Sequence, residues 1–292
     1  MKRALGRTPQ LGFTLIELLT ALGIFLLICG AAFTLLSSSQ QRYRTESQVL
    51  NSFQEARLGL DQMVRDVNDS GFPPPTFNDG IPADAFQYAS SPFAWSAGAG
   101  YPGTPCLIGT VGGGTCTTAT AGDTTPGDFD LIIETNPKPQ DPSCLPNCPV
   151  QWIRYQLQNT TPLPTLMRGV FDKSAGDPDA STAGALVPFV QNIVNTQVVQ
   201  NVTSPLVAQY QAAYPVIFPG GAPVPIFSYT CDNSFPPPQT VPCPGAGTDN
   251  SPANIRDVMI TLIVAAPLPD ATTGRPRLVT LNGRGRRINP NQ

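Results

Sequence analysis

The hydrophobic pattern changes character once along the first seventy residues, and that change predicts two halves of one helix. From Leu18 to Gln41 there is no charged side chain. Wound as a helix, Phe13 to Leu36 spans roughly 36 Å, enough to cross a hydrocarbon core about 30 Å thick. Ser37 to Gln41 is polar, and an amphipathic pattern then takes over. Leu50, Phe53, Leu60, Val64 and Val67 recur at three- and four-residue spacing, with Ala56 or Arg57 at the missing turn. This is one apolar stripe at helical period. The predicted helix runs from Phe13 to about Asn68 and ends at Asp69-Ser70-Gly71, before Pro73-Pro74-Pro75 forbids continuation. Its first half is apolar all round; its second half has one face to bury.

Beyond the helix the period shortens to two. Phe72 to Asp128 is rich in Pro, Gly, Ala, Ser and Thr and reads as long loops with short strands. Strands are predicted at Phe129–Glu134, Val150–Gln158, Leu166–Val170, Phe189–Val194, Val224–Thr230, Ile255–Ala265 and Arg277–Leu281. In the second of these Ile153, Tyr155 and Leu157 alternate against Arg154, Gln156 and Gln158. In the sixth, Val258, Ile260, Leu262 and Val264 face one way. Strands after one long helix give an α+β fold with a largely antiparallel sheet. The expected division is a basic leader over 1–12, the helix over 13–68, and a β-rich globular domain over 69–292.

Composition narrows the chemistry. The chain has 292 residues, 33 prolines and 26 glycines, yet its hydrophobic content of 41% suffices for a core. Its net charge is −3. Without Lys2, Arg3 and Arg7, 14 basic side chains stand against 20 acidic ones, which argues against a nucleic-acid-binding face. Histidine is absent, which excludes Ser-His-Asp and Cys-His catalysis and HExxH zinc sites. Ala94-Trp95-Ser96-Ala97-Gly98 lacks the first glycine of a nucleophile elbow. Gly109-Thr110-Val111-Gly112-Gly113-Gly114 lacks the Gly-Lys-Ser/Thr ending of a phosphate cradle. No enzyme, cofactor or metal is expected.

The cysteines divide by environment. Cys29 lies in the apolar run and reads as a small apolar residue. Cys106, Cys116, Cys144, Cys148, Cys231 and Cys243 fall in Pro/Gly-rich sequence and read as disulfides of an oxidising compartment. Six cysteines permit fifteen connectivities; nearest-neighbour pairing is the expectation. Zinc is the alternative, though Cys144-Leu145-Pro146-Asn147-Cys148 has no second ligand pair at ribbon spacing. Arg275, Arg277, Arg284, Arg286 and Arg287 form a basic tail, read as a solvated edge that blocks unwanted strand pairing rather than as a site for anionic polymer. Asp177-Pro178-Asp179 has no regular calcium-ligand spacing behind it.

Lys2, Arg3 and Arg7 precede the apolar run, so the positive-inside rule keeps the leader in the cytoplasm and sends the rest outside. The run exceeds the 7–15 apolar residues of a secretory signal. Glu17 is the odd residue, a carboxylate in an otherwise uncharged segment, and such residues usually mark function. Gly12-Phe13-Thr14-Leu15-Ile16-Glu17 resembles the cleavage and methylation site of type IV prepilins and of type II secretion pseudopilins. The resemblance implies that an aspartic prepilin peptidase cuts after Gly12, that Phe13 becomes a methylated N-terminus, and that Glu17 neutralises a neighbouring subunit's amine during assembly. It implies residence in the bacterial inner membrane, then in a pilus or periplasmic pseudopilus, with other pilin subunits as partners.

Three further passages resemble PilW-type minor pilins. They are Met63-Val64-Arg65-Asp66-Val67 before Ser70-Gly71-Phe72; Gly127 to Ile133 with Ile153–Leu157 and Leu166-Met167-Arg168; and Ile255 to Leu262 with the basic C-terminal end. The expected function is that of a minor pilin in filament assembly or initiation. The alternatives are a GspJ-type minor pseudopilin and a binding module at a pilus tip.

Overall fold

The computed structural model describes residues 12–71, 92–94, 127–135, 150–174, 178–233, 239–243, 255–269 and 275–287. Helix α1 runs from Leu15 to Asn68 without a break, 54 residues or roughly 81 Å. It starts two residues later than predicted because Thr14 is extended and serves as the N-cap, leaving Phe13 outside. At the other end Asp69 donates its N–H to Arg65 O, and Ser70 Oγ donates to Val67 O at 2.6 Å. Gly71 then takes a left-handed φ of 77°, which favours glycine. Its N–H donates to Glu134 O at 3.1 Å, so the helix end is tied directly to a sheet strand.

The strands form two principal antiparallel sheets. The first has the order β1 (Phe93–Ala94), β2 (Asp130–Thr135), β3 (Gln151–Gln158), β4 (Thr165–Asp172) and β5 (Val187–Val190). A short helix, α2 (Pro178–Ser181), lies between β4 and β5. A small hairpin, β6 (Val198–Val199) and β7 (Val202–Thr203), and helix α3 (Pro205–Ala213) come next. The second sheet is built from β8 (Phe227–Asn233), β9 (Gln239–Cys243), β10 (Ile255–Pro269) and β11 (Pro276–Arg286), in the order β11-β10-β8-β9.

The sheets are stitched together where β8 diverges from β10. There residues 192–195 take the place beside β10: Val194 donates to Ile263 O and Ala265 donates to Asn192 O, both at 2.9 Å. Buried Asn195 bridges the fork, donating through Nδ2 to Val224 O and Thr261 O and accepting from Ile263 N–H at 2.8 Å. Each of these backbone groups would otherwise be stranded inside the protein, and the side-chain amide has the donors and acceptor to serve three of them.

The second half of α1 lies on both sheets and supplies Ala56, Leu60, Met63 and Val67 to the main core. They pack with Leu131, Ile133, Ile153 and Tyr155 of the first sheet and with Val258, Ile260, Leu262 and Val264 of β10. Close approach depends on two glycines of β11. A Cβ on Gly283 would stand 2.7 Å from Leu60 Cδ1, and one on Gly285 would stand 2.5 Å from Val67 Cβ. On the reverse of β10, Ile263 and Ala265 form a second core with Val207 of α3, Phe218 and Val194.

Several predicted details are corrected. The buried stripe of α1 is turned slightly from the expected one: Val49 and Met63 are inside, whereas Leu50 is 59% exposed and Phe53 only partly covered. Strand β5 ends at Val190, four residues early, because the chain crosses to β10. Strand β8 begins at Phe227 rather than Val224. Arg154 was expected on a polar face, yet it is buried in an ion pair with Asp130 and also donates to Thr182 Oγ1. Beside it Glu134 accepts from Lys173 Nζ at 3.0 Å and Trp152 Nε1 at 3.1 Å. The reverse face of the first sheet is therefore covered, and its charges are paired, as buried charges must be.

Candidate processing and assembly site

The start of α1 is organised by Thr14 and Glu17. The Glu17 carboxylate accepts the backbone N–H of Thr14 at 3.0 Å and its hydroxyl at 2.9 Å, both through Oε2. In return the Glu17 N–H donates to Thr14 Oγ1 at 3.4 Å. This reciprocal capping box satisfies backbone donors that the first helical turn leaves over. It also sets a negative charge at the positive end of the helix dipole. Oε1 stays outside the cap and can accept from another donor.

Around this polar start the helix is bare. Every large apolar side chain from Phe13 to Leu36 is at least half exposed. Cys29 is a free thiol within this run. Among the described residues α1 is the one helix long and apolar enough to cross a membrane. Gly12 and Phe13 sit exposed and outside the helix, ahead of the cap.

Residues 7–33 match the prokaryotic N-terminal methylation motif. The match supports the type IV pilin and pseudopilin family. It implies processing by a prepilin peptidase, and the pilin-type apolar helix implies inner-membrane anchoring. Proteins that carry this motif, the pilins and pseudopilins, are structural and non-enzymatic. No curated protein and no solved structure matches the chain.

Sequence reasoning singled out Gly12, Phe13 and Glu17 but passed over Thr14. Its signal was present: Thr-x-x-Glu ahead of an apolar run is a capping box.

The remaining candidates are spread through the fold. Cys231 and Cys243 form a disulfide between β8 and β9, with S–S 2.08 Å and Cα atoms 5.7 Å apart. Cys106, Cys116, Cys144 and Cys148 lie outside the described residues, as do residues 95–98 and 109–114 and Asp177. Pro178 opens α2. The basic tail runs along and just beyond β11, a sheet edge. Arg284 pairs with Asp257 at 2.7 Å. Burial acts to raise the Asp257 carboxyl, but hydrogen bonds from Arg284 and Thr230 outweigh it and hold the group below the usual range.

A separate polar group fixes α1 to the first sheet. Tyr155 donates its hydroxyl to Asp66, and Arg168 reaches both Tyr155 OH and Asp66 Oδ2 at 3.0 Å. Gln62 donates to the other Asp66 oxygen at 2.7 Å. Burial first, and then the Asp66 charge, push the Tyr155 phenol far above its ordinary value, so it remains a donor. The N-terminal half of the helix is thus exposed and its C-terminal end is clamped.

Proposed function

We propose that this chain is a minor pilin of the PilW type, a subunit that helps build or initiate a filament by packing its N-terminal helix against others. In this reading the leader is removed after Gly12, Phe13 becomes a methylated N-terminus, and Glu17 receives the amine of a neighbouring subunit. The observation that carries it is the Glu17 carboxylate at the cap of a helix whose first half is exposed and otherwise uncharged. The cap uses Oε2 and leaves Oε1 for the incoming amine. The bulk of the domain favours a minor role, because a large loop-rich body is awkward to repeat at every position of a filament.

Two measurements test this. Mass spectrometry of the protein purified from its membrane is expected to show methylated Phe13; an intact Met1 would remove the proposal. The second compares Glu17→Gln, Glu17→Val and Glu17→Asp by co-purification with sheared filaments, normalised to the membrane fraction. Glutamine retains the capping box but not the charge, so it separates helix start from docking. Insertion is expected to survive in the Gln and Val variants, since losing a carboxylate makes the segment more apolar. Filament recovery is expected to fall sharply for Gln and Val and partly for Asp, because an unpaired amine in a filament core costs several kcal/mol. Wild-type recovery of the valine variant would exclude docking through Glu17. Deleting the gene should reduce surface filaments; normal filaments with failed protein secretion would assign the subunit to a type II system instead.

A further inference from the structure

After Glu17, α1 carries no charged side chain until Arg42, where Arg42, Tyr43 and Arg44 stand together. All three are exposed. At 3.6 residues per turn, consecutive side chains leave the axis about 100° apart. The two guanidiniums therefore project on nearly opposite sides with the phenol between them. Among the described residues neither arginine makes an ion pair. Glu46, one turn past Arg42, is the nearest acidic side chain in sequence, so the ring keeps a positive surplus.

Its height along the helix selects its surroundings. Glu17 and Arg44 are separated by roughly 40 Å of α-helix. A bilayer counted with both headgroup regions is about 40–45 Å thick. With Glu17 in the inner headgroup layer, Arg42, Tyr43 and Arg44 stand in the outer one, just before Val49 begins the contacts with the globular domain. Leader removal sharpens the contrast, because Lys2, Arg3 and Arg7 leave with residues 1–12. Arg42 and Arg44 are then the basic side chains that flank the span.

We propose that Arg42, Tyr43 and Arg44 form a collar that binds the phosphates of anionic phospholipids in the outer leaflet, and so fixes the depth of the processed subunit before it leaves the bilayer. Guanidinium forks match phosphate oxygens bidentately. Tyrosine favours the headgroup level, with its ring toward the chains and its hydroxyl toward water. An arginine beside an anionic surface strengthens association by about fivefold. The proposal rests on the membrane reading of α1, and the test separates the two.

The full-length protein is reconstituted in phosphatidylcholine vesicles containing a trace of spin-labelled phosphatidylglycerol or spin-labelled phosphatidylcholine. Resistance to alkaline carbonate is measured first; extraction of the wild type would overturn the membrane reading itself. For inserted protein, electron paramagnetic resonance reports the fraction of each lipid held against the helix. The wild type is expected to retain the phosphatidylglycerol label several-fold more than the phosphatidylcholine label, and high salt should weaken that preference. R42Q/R44Q is expected to insert equally well; without the leader it loses the preference, and with the leader it keeps only the part that Lys2, Arg3 and Arg7 hold. Equal retention of both labels by wild type, or an undiminished preference in R42Q/R44Q, would overturn the collar.

Discussion

The two halves of α1 share one backbone geometry and solve opposite problems. From Leu15 to Leu36 the helix shows apolar side chains on every side, all of the large ones at least half exposed. From Val49 to Val67 it shows one apolar face, and that face is inside. Both halves are hydrophobic, so hydrophobicity alone does not predict burial within the chain. The angular spread of the apolar positions does. A single stripe matches a protein surface, whereas an all-round coat calls for a surrounding apolar solvent or a sheath of similar helices.

Substitutions that are equivalent on paper should therefore diverge between the halves. The largest effect is expected for Met63→Ala, which empties a fully buried position between α1 and the sheets. In detergent-solubilised protein, denaturant unfolding followed by near-UV circular dichroism should show a loss of about 2–5 kcal/mol. A loss below 1 kcal/mol would mean that α1 is not packed as described. Next comes Gly285→Ala, whose methyl would meet Val67 Cβ at 2.5 Å and Val64 O at 3.3 Å. Neither atom can move without the helix, so a penalty of about 1–3 kcal/mol is expected on the same assay.

The tyrosines give a smaller, pH-dependent contrast confined to the clamped half and its sheets. Burial raises the phenols of Tyr155 and Tyr229, with Asp66 adding to the first and Asp128 and Asp130 to the second. A raised folded-state value means that their contribution is complete below about pH 10, the unfolded value. It is lost as pH rises beyond that, at up to about 1.4 kcal/mol per pH unit for each group. Stability should decline steeply between pH 10 and 11, and Tyr155→Phe should make the decline shallower. The smallest effect belongs to the free half: Phe25→Ala should leave domain stability unchanged within error. A measurable loss there would show that the first half packs on the domain.

The same difference explains what could be read beforehand. The helix, its end at Gly71 and the face of β10 bearing Val258, Ile260, Leu262 and Val264 were legible because periodicity reports burial directly. Three kinds of feature were not. Arg154 resembles a solvent-facing residue until Asp130 and Thr182 are brought beside it by pairing of distant strands. Nothing in the pattern around Gly283 and Gly285 calls for glycine, and only the proximity of Leu60 and Val67 reveals why a side chain is excluded. The β6–β7 hairpin turns on Gln200 and Asn201, both at positive φ, without the Asn-Gly pair that normally announces such a turn. Helix α3 did have a signal in Ser204-Pro205, a cap residue before a proline at the first helical position. At the start of α1 Glu17 was conspicuous as a lone charge, while Thr14 needed the three-residue spacing to be noticed.

The end of α1 has a mechanical meaning. Asp66 is held by Tyr155 and Arg168, Thr135 Oγ1 donates to Asp69 O at 3.0 Å, and Gly71 N–H reaches Glu134 O. A tension applied to the free N-terminal half travels down the helix and arrives at these bonds together with the packed face from Val49 to Val67. The contacts then share the load in parallel and fail by sliding, a far stiffer arrangement than one unzipped bond by bond. The helix acts as a tow bar whose coupling lies in the clamp between its last turns and the first sheet.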